Sequence, residues 1–222
     1  MCISYSGIQV TPSQEFQRRL KMGIYQKFVP FLDQLLDDLR KQFNENIRMI
    51  ELGNQNIHPP MPHTGNISKL YFNQQDGVEH ISLDWNGREG ALMKDLGIPI
   101  TDVDPGHLIT NFGTSEHVYN HYRCFENIHN LCIPGGYVFH FVPAIGSWTG
   151  HCLRWYGEKF FIELAKASDY EIVELYSTSE EPYIPATHQQ MVWCLFRKIK
   201  NSPFCDDEKF ASIEKSLHIL NK

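Results

Sequence analysis

The sequence predicts an α/β protein whose mostly parallel sheet carries helices on both faces. Three consecutive segments support this prediction. The apolar run 108–112 ends at Gly113, and Thr114 or Ser115 can then cap a helix whose apolar residues between 118 and 132 share one face. After a Pro-Gly-Gly turn, β-branched and aromatic residues fill 137–142, as in a strand buried on both faces. A strand, a helix and a second strand in this order indicate a parallel β-α-β unit.

Length and composition limit the classes of function. A chain of 222 residues can bury the core of one α/β domain. Its net charge of -6, without a basic cluster, makes nucleic acid an unexpected partner, because binding phosphates requires concentrated Lys and Arg. The first residues lack the charge and apolar length of a signal peptide or membrane span. We therefore expect a cytoplasmic protein with no membrane partner that acts on a small molecule; the sequence leaves its oligomeric state open.

The chain divides into three parts. In residues 1–46, apolar residues at helical spacing predict an N-terminal helical extension, interrupted at Pro30 and ending at about Asn44. Residues 47–200 form the α/β domain, and residues 201–222 carry a surface helix. Six cysteines without CxxC spacing are expected to be reduced.

The remaining elements of the domain follow from local patterns. Period-two and apolar runs predict strands, and helical spacing predicts crossover helices. We expect strands at 47–52, 78–84, 90–96, 170–175 and 191–196, helices at 66–73 and 158–167, and a proline-rich inserted loop at 57–65.

At the ends of the predicted strands the sequence resembles the class I S-adenosylmethionine-dependent methyltransferases. The resemblance rests on the polar tip 111–115, the Glu116-His117 pair that follows it, and the phrase Pro134-Gly135-Gly136-Tyr137-Val138-Phe139. It covers about residues 47–196. It implies a Rossmann-like, mostly parallel seven-stranded sheet with one antiparallel edge strand, and S-adenosylmethionine as the cofactor.

The resemblance also implies which residues bind that cofactor. Family members place an acidic residue and a glycine-rich loop after the first strand, but this chain has a single glycine there, followed by Asn-Gln-Asn. Acidic residues that end the second and third strands are implied to contact ribose and adenine. The cofactor-binding candidates are Glu51, Gly53, Asn54, Asp84, Trp85, Asp95, Leu96, Asn111, Phe112 and Gly113.

Asp84 is the strongest single ligand candidate. It follows an apolar strand, and a carboxylate at the carboxyl end of such a strand can accept hydrogen bonds from ribose hydroxyls. The alternative is an aspartate that caps the Asn-Gly turn after it. For Asp95 the alternative is an exposed loop carboxylate.

The loop after residue 142 is the candidate substrate loop, since it also leaves the carboxyl edge of the sheet. It combines glycines with aromatic and imidazole side chains, and the candidates are Trp148, His151, Arg154, Trp155 and Tyr156. The same aromatic residues could instead close the core beneath the loop. Glu116, His117 and His151 are the candidates for accepting a proton in catalysis, with hydrogen-bonded structural residues as the alternative.

No metal site is expected. His58 and His63 lie in the proline-rich loop without a further ligand, and His117 and His121, four residues apart on the predicted helix, lack a third. Hydrolase, kinase and dinucleotide-binding motifs are absent from the sequence. The sequence therefore predicts a methyltransferase that acts on the oxygen or nitrogen of a small molecule. The alternative is a catalytically inactive methyltransferase-like protein that serves in binding or scaffolding, which the missing glycines favour.

Overall fold

The computed structural model of the protein describes residues 23–148, 150–177 and 190–220. The helices are α1 (Val29–Phe43), α2 (Ser68–Phe72), α3 (His121–Leu131), α4 (Glu158–Ala167) and α5 (Asp207–Glu214). The strands are β1 (Ile24–Tyr25), β2 (Ile47–Leu52), β3 (Asn56–Met61), β4 (Gly65–Ile67), β5 (Val78–Asp84), β6 (Leu92–Met93), β7 (Gly106–Phe112), β8 (Cys132–Pro143), β9 (Arg154–Trp155), β10 (Tyr170–Ser177), β11 (Met191–Lys198) and β12 (His218–Ile219).

Seven strands form the main sheet in the order β10-β11-β8-β7-β2-β5-β6. The five strands from β8 to β6 pair in parallel, and β11 is antiparallel to both β8 and β10. This arrangement confirms the predicted Rossmann-like sheet with an antiparallel edge. The order reverses between β2 and β7, and ligands bind at such a reversal because the connections leave it on opposite faces.

Alternate residues of the central strands pack into two cores on opposite faces of the sheet. Ile109 and Val138 join the core that α3, α4 and α5 cover, whereas Leu108 and Phe139 join the core beneath α1. Both clusters consist largely of fully buried aliphatic and aromatic side chains. The central strands are therefore apolar on both faces, as their composition predicted.

The N-terminal part differs from the prediction. Ile24 and Tyr25, expected in a first helix, form β1 and pair in parallel with Ile57 and His58. Pro30 lies in the first turn of α1, where a missing N–H breaks no helical hydrogen bond, so it begins the helix instead of interrupting one. The part of the predicted first helix before residue 23 lies outside the described residues. The proline-rich segment expected as a loop forms β3 and β4, which pair with each other.

The connection after β7 also differs. Residues 115–117 form a short 3₁₀ turn, and α3 begins only at His121, with Asn120 as its cap through a 3.2 Å hydrogen bond from the Arg123 N–H. The prediction that His117 and His121 share a helix face is therefore wrong. The reason is local: the polar residues of the tip hydrogen-bond to one another and to the end of β2, in competition with a helical turn.

The C-terminal tail is part of the fold. Asp206 caps α5, whose Phe210 and Ile213 are buried in the core beside α3 and α4. Beyond it, β12 pairs with β9. The tail predicted as a surface helix therefore covers one face of the domain.

Two further expectations concern the whole chain. Each of the five cysteines in the described ranges is buried with a free thiol, in agreement with the expected reduced state. Among the described residues, every helix is too short or too polar to traverse a lipid bilayer.

His140, on β8, provides a test of this packing. Burial, with a smaller contribution from His121, lowers the pKa of His140 to about 3. Its Nδ1 lies 3.0 Å from the Nδ2 donor of Asn111, so protonation would set two donors against each other. Since the folded-state pKa lies below the usual 6.5, neutral His140 stabilises the fold above pH 6.5, and this contribution is lost as the pH falls towards 3.

We therefore predict that His140→Gln reduces the acid sensitivity of the fold. Between pH 7 and pH 5, the unfolding free energy should fall by about 2 kcal/mol less in this variant than in the wild type. Urea denaturation at the two pH values measures the difference. His63→Gln, at an exposed histidine, should behave as the wild type does, and an equal fall in all three proteins would contradict the assignment of a neutral, buried His140.

Candidate functional site

A pocket of about 460 Å³ opens at the carboxyl ends of β2, β5, β6 and β7. It lies at the strand-order reversal between β2 and β7. Its walls come from the loops that follow these strands, and the lining residues are Gly53, Asn54, Gln55, Leu83, Asp84, Trp85, Lys94, Asp95, Leu96, Gly113, Thr114, His117, Val118 and Tyr119. Seven of the ten cofactor-binding candidates are thus brought together in one place.

Glu51 lies beneath the pocket. It is fully buried, and its Oε1 accepts hydrogen bonds from the Gln55 N–H at 2.9 Å and the Ser68 hydroxyl at 2.8 Å. The Glu51 carboxylate therefore folds the loop after β2, and the residues of that loop that line the pocket are Gly53, Asn54 and Gln55.

Gly53 makes the floor of the pocket. Its φ of +78° lies in the left-handed region that favours glycine. A Cβ at this position would lie 2.6 Å from Gln55 Nε2 and 2.7 Å from Thr114 Oγ1. The same two side-chain atoms are hydrogen-bonded to each other at 3.0 Å. A Cβ at Gly53 would therefore displace the hydrogen-bonded Gln55 and Thr114 side chains, in a backbone conformation that favours glycine.

Asp84 caps the turn after β5, which is the alternative role considered from the sequence, and it also lines the pocket. Its Oδ2 accepts a 2.8 Å hydrogen bond from the Asn54 N–H, and its Oδ1 accepts one of 2.9 Å from the Asn86 N–H. The carboxylate thus joins the first loop to the second, caps the turn after β5 and lines the pocket. Each carboxylate oxygen retains a lone pair for a further donor.

The outer wall combines aromatic and charged side chains. Trp85 is 80 % exposed and Tyr119 is 77 % exposed, although both line the pocket. Asp95 accepts a 2.8 Å hydrogen bond from the Gly97 N–H, and Leu96 is almost buried. This wall offers ring faces and apolar surface beside a carboxylate, a combination that suits a flat heterocycle carrying polar groups.

Asn111 and Phe112 support the tip of β7 from below. Asn111 is fully buried, and its Oδ1 accepts hydrogen bonds from the Thr114 and Ser115 N–H groups at 3.2 and 3.1 Å. Phe112 packs in the core against Phe139. The pocket surface at this tip belongs to Gly113 and Thr114.

Arg154 and Tyr156, expected in the substrate loop, lie behind the pocket wall. Arg154 donates to the carbonyl oxygens of Val118 and Tyr119 at 2.8 and 2.9 Å, and to Glu214 Oε1 at 3.1 Å. The Tyr156 hydroxyl is buried within 2.8 Å of Ser115 Oγ. Both side chains hold the segment that follows β7.

Trp155 is also buried, against His218. Trp148 is buried as well, and none of the five substrate-loop candidates lines the pocket itself; His151 is half-buried beside Trp148. Their rings lie 5.1 Å apart, and the His151 ring lies 5.0 Å from that of His117, which lines the pocket.

Glu116, His117 and His151 form one cluster. His117 Nε2 lies 3.7 Å from Glu116 Oε1, and one ligand atom from each of the three residues lies within 4.8 Å of the others. Burial raises the pKa of Glu116 to about 8. Burial, and to a lesser degree His151, lowers the pKa of His117 to about 4, and burial also lowers the pKa of His151.

Six lining residues are not among the candidates that the sequence predicts, namely Gln55, Leu83, Lys94, Thr114, Val118 and Tyr119. The sequence predicts Thr114 as a helix cap and places Val118 and Tyr119 within the helix. Because α3 begins only at His121, Val118 and Tyr119 can line the pocket. Gln55 belongs to the segment that follows Gly53, where the resemblance implies a glycine-rich loop, and no sequence pattern indicates a role for its side chain.

Comparisons with known proteins bear on the fold. No family model and no curated protein sequence matches the chain. Among solved structures, the 1,6-didemethyltoxoflavin-N1-methyltransferase of Burkholderia thailandensis, with 1,6-didemethyltoxoflavin and S-adenosylhomocysteine bound, is similar with a TM-score of 0.51 and 13 % identity, covering 75 % of this chain and 77 % of that one. The N-methyltransferase NodS of Bradyrhizobium japonicum WM9, in complex with S-adenosylhomocysteine, is similar with a TM-score of 0.49 and 13 % identity. The match covers 77 % of this chain and 87 % of that one. The chain has a class I methyltransferase-like fold.

Proposed function

We propose that the protein is an S-adenosylmethionine-dependent methyltransferase that acts on the oxygen or nitrogen of a small molecule. The observation that carries the proposal is the joined pair of loops at the pocket floor. Gly53 has a positive φ, and a Cβ there would displace the Gln55 and Thr114 side chains; Asp84 ends the neighbouring strand. Together they offer an open backbone and a carboxylate, which suits a nucleoside with an amino-acid chain.

The lining residues fit this cofactor part by part. Asp84 would accept hydrogen bonds from the ribose hydroxyls, and the backbone at Gly53, Asn54 and Gly113 would lie along the methionine part. Trp85, Asp95 and Leu96 form a wall that suits the adenine, with ring stacking on one side and a carboxylate acceptor for its amino group.

When bound, the cofactor supplies a methyl group activated by its sulfonium. The protein contributes alignment, and in some reactions removal of a proton from the acceptor. His117 lines the pocket, with His151 and then Trp148 next to it, so in this proposal the acceptor binds on that side. Glu116, His117 and His151 are our candidates for taking up that proton. In this proposal Arg154, Trp155 and Tyr156 act as positioning residues, because they hold the wall from behind.

A small molecule is the acceptor class that fits the charge and dimensions of the site. The chain has a net charge of -6, which disfavours a polyanionic substrate. The pocket of about 460 Å³ is of the size that takes a cofactor and a compact partner.

A second candidate function is binding without transfer. The loop after β2 contains Gln55 where a further glycine is usual, and its Nε2 donates to the Leu52 carbonyl at 3.1 Å while contacting Thr114. A side chain tied across the floor narrows the space for the methionine part. A protein with such a floor could retain the nucleoside and still fail to align the methyl group.

The first prediction from this proposal concerns Asp84. Asp84→Ala should weaken S-adenosylhomocysteine binding by about 1.5 to 3 kcal/mol, because a charge-assisted hydrogen bond is lost. Isothermal titration calorimetry measures the affinity, and circular dichroism checks the fold. Asp104→Ala removes a carboxylate that is 87 % exposed and belongs to the connection before β7, so it should bind as the wild type does. Equal affinity in the two variants would remove Asp84 from the site.

The second prediction separates transfer from binding. Wild-type protein incubated with methyl-labelled S-adenosylmethionine and a panel of phenols, hydroxy acids and amines should move label into at least one compound, and Asp84→Ala should do so more slowly at subsaturating cofactor. Label that stays on the cofactor across the panel, with intact S-adenosylhomocysteine binding, would contradict the transferase proposal in favour of the binding protein.

A further inference from the structure

The Glu116 carboxyl group is buried, and no hydrogen-bond donor from another described residue contacts it. It has no solvent exposure, and neither carboxylate oxygen accepts a hydrogen bond from another residue in the described part of the chain. Over those same ranges, no Lys or Arg lies within ion-pair distance of Glu116; its ion-pair contact is with His117, at 3.7 Å. Arg154 is occupied by Glu214 and two carbonyl oxygens. A buried hydrogen-bond acceptor without a partner costs folding free energy, and a ligand that binds the Glu116 carboxylate would offset that cost.

Two imidazoles complete the surroundings of this carboxylate. His151 Nε2 is likewise buried without a hydrogen-bond partner among the described residues. The ligand atoms of Glu116, His117 and His151 all lie within 4.8 Å of one another. Two imidazoles and one carboxylate are the ligands of many zinc and non-haem iron sites.

The backbone holds the cluster together. The Leu153 N–H donates to the Glu116 carbonyl at 3.1 Å, which fixes the loop after β8 against the 3₁₀ turn. The His151 N–H donates to the Trp148 carbonyl at 3.0 Å. One main-chain bond therefore joins the two segments that carry the three side chains, and a second fixes the turn that carries His151.

We propose that Glu116, His117 and His151 bind one divalent transition-metal ion of the zinc type. Ligands at about 2.1 Å from a tetrahedral ion are about 3.4 Å apart, so the atoms now within 4.8 Å must move inward by about 1 Å. Rotation of the half-exposed His117 ring allows this movement. The sequence predicts these three residues only as proton acceptors, because His151 lies on another loop and no ligand spacing indicates a shared ion.

Three protein ligands leave one coordination position of the ion open. Because His117 also lines the pocket, a molecule bound there could occupy that position. An ion there would bind a small molecule through an oxygen donor and lower the pKa of an acceptor hydroxyl, in place of an imidazole base. Ion binding itself is independent of methyl transfer. The inference that the ion binds the oxygen atom of the methyl acceptor rests on the proposed function.

Zinc binding tests the site directly. Untagged protein, stripped with a chelator and dialysed, is titrated with ZnCl₂ by calorimetry, and Co²⁺ is added to a second sample to follow its visible absorption. The wild type should bind one Zn²⁺ per chain and unfold at a higher temperature with it. Glu116→Gln and His151→Ala should each weaken binding on the order of 100-fold and lose the Co²⁺ bands.

His63→Asn removes an exposed histidine outside the cluster and should bind Zn²⁺ as the wild type does. Circular dichroism shows whether each variant is folded. If His151→Ala does not fold, the near-isosteric Glu116→Gln still decides the test. Absence of stoichiometric Zn²⁺ binding by the wild type, or equal binding in all folded variants, overturns the proposal. Titration of the metal-free wild type with S-adenosylhomocysteine separates this result from the proposed function.

Discussion

A buried chain of hydrogen bonds that starts at Asn111 determines the shape of the site. Asn111 Nδ2 donates to Ser115 Oγ at 2.8 Å, Ser115 is joined to the Tyr156 hydroxyl, and that hydroxyl to His121 Nε2 at 2.8 Å. His121 then donates through Nδ1 to Glu214 at 2.6 Å. Every group is satisfied when His121 is neutral, and burial lowers its pKa to about 4. Because such a chain is costly when partly made, it fixes the tip of β7 in one conformation.

The same chain links the C-terminal tail to the pocket. Glu214, at the end of α5, accepts from both His121 and Arg154, and Arg154 holds the carbonyl oxygens of Val118 and Tyr119. The tail helix α5 thus helps to position Val118 and Tyr119 in the pocket wall, although it is distant from them in sequence. The same helix, which the sequence predicts to lie on the surface, is also packed into the core through Phe210.

Much of the fold could be predicted from the sequence because the strands are apolar on both faces and the crossover helices are amphipathic. The bounds of β2 and β5 follow from their composition, and Gly53 and Asp84 were found because they end those strands. The start of α3 could not be predicted, since the Asn111 side chain accepts hydrogen bonds from the Thr114 and Ser115 N–H groups and so offers the tip an alternative to a helical turn. The roles of Arg154 and Tyr156 likewise depend on tertiary partners that no local pattern reveals.

The central claim is that the pocket above Gly53 binds the methyl-donor cofactor. Calorimetric titration of S-adenosylhomocysteine into the wild type, Gly53→Ala and Gly65→Ala tests it. Both glycines have a positive φ, but a Cβ at Gly65 meets nothing within 4 Å, whereas at Gly53 it meets Gln55 and Thr114. We expect one site per chain in the wild type and in Gly65→Ala, and at least tenfold weaker binding in Gly53→Ala, a change of about 1.4 kcal/mol. Folded wild-type protein that binds no S-adenosylhomocysteine, or a Gly53→Ala variant that binds it equally well, would contradict the account.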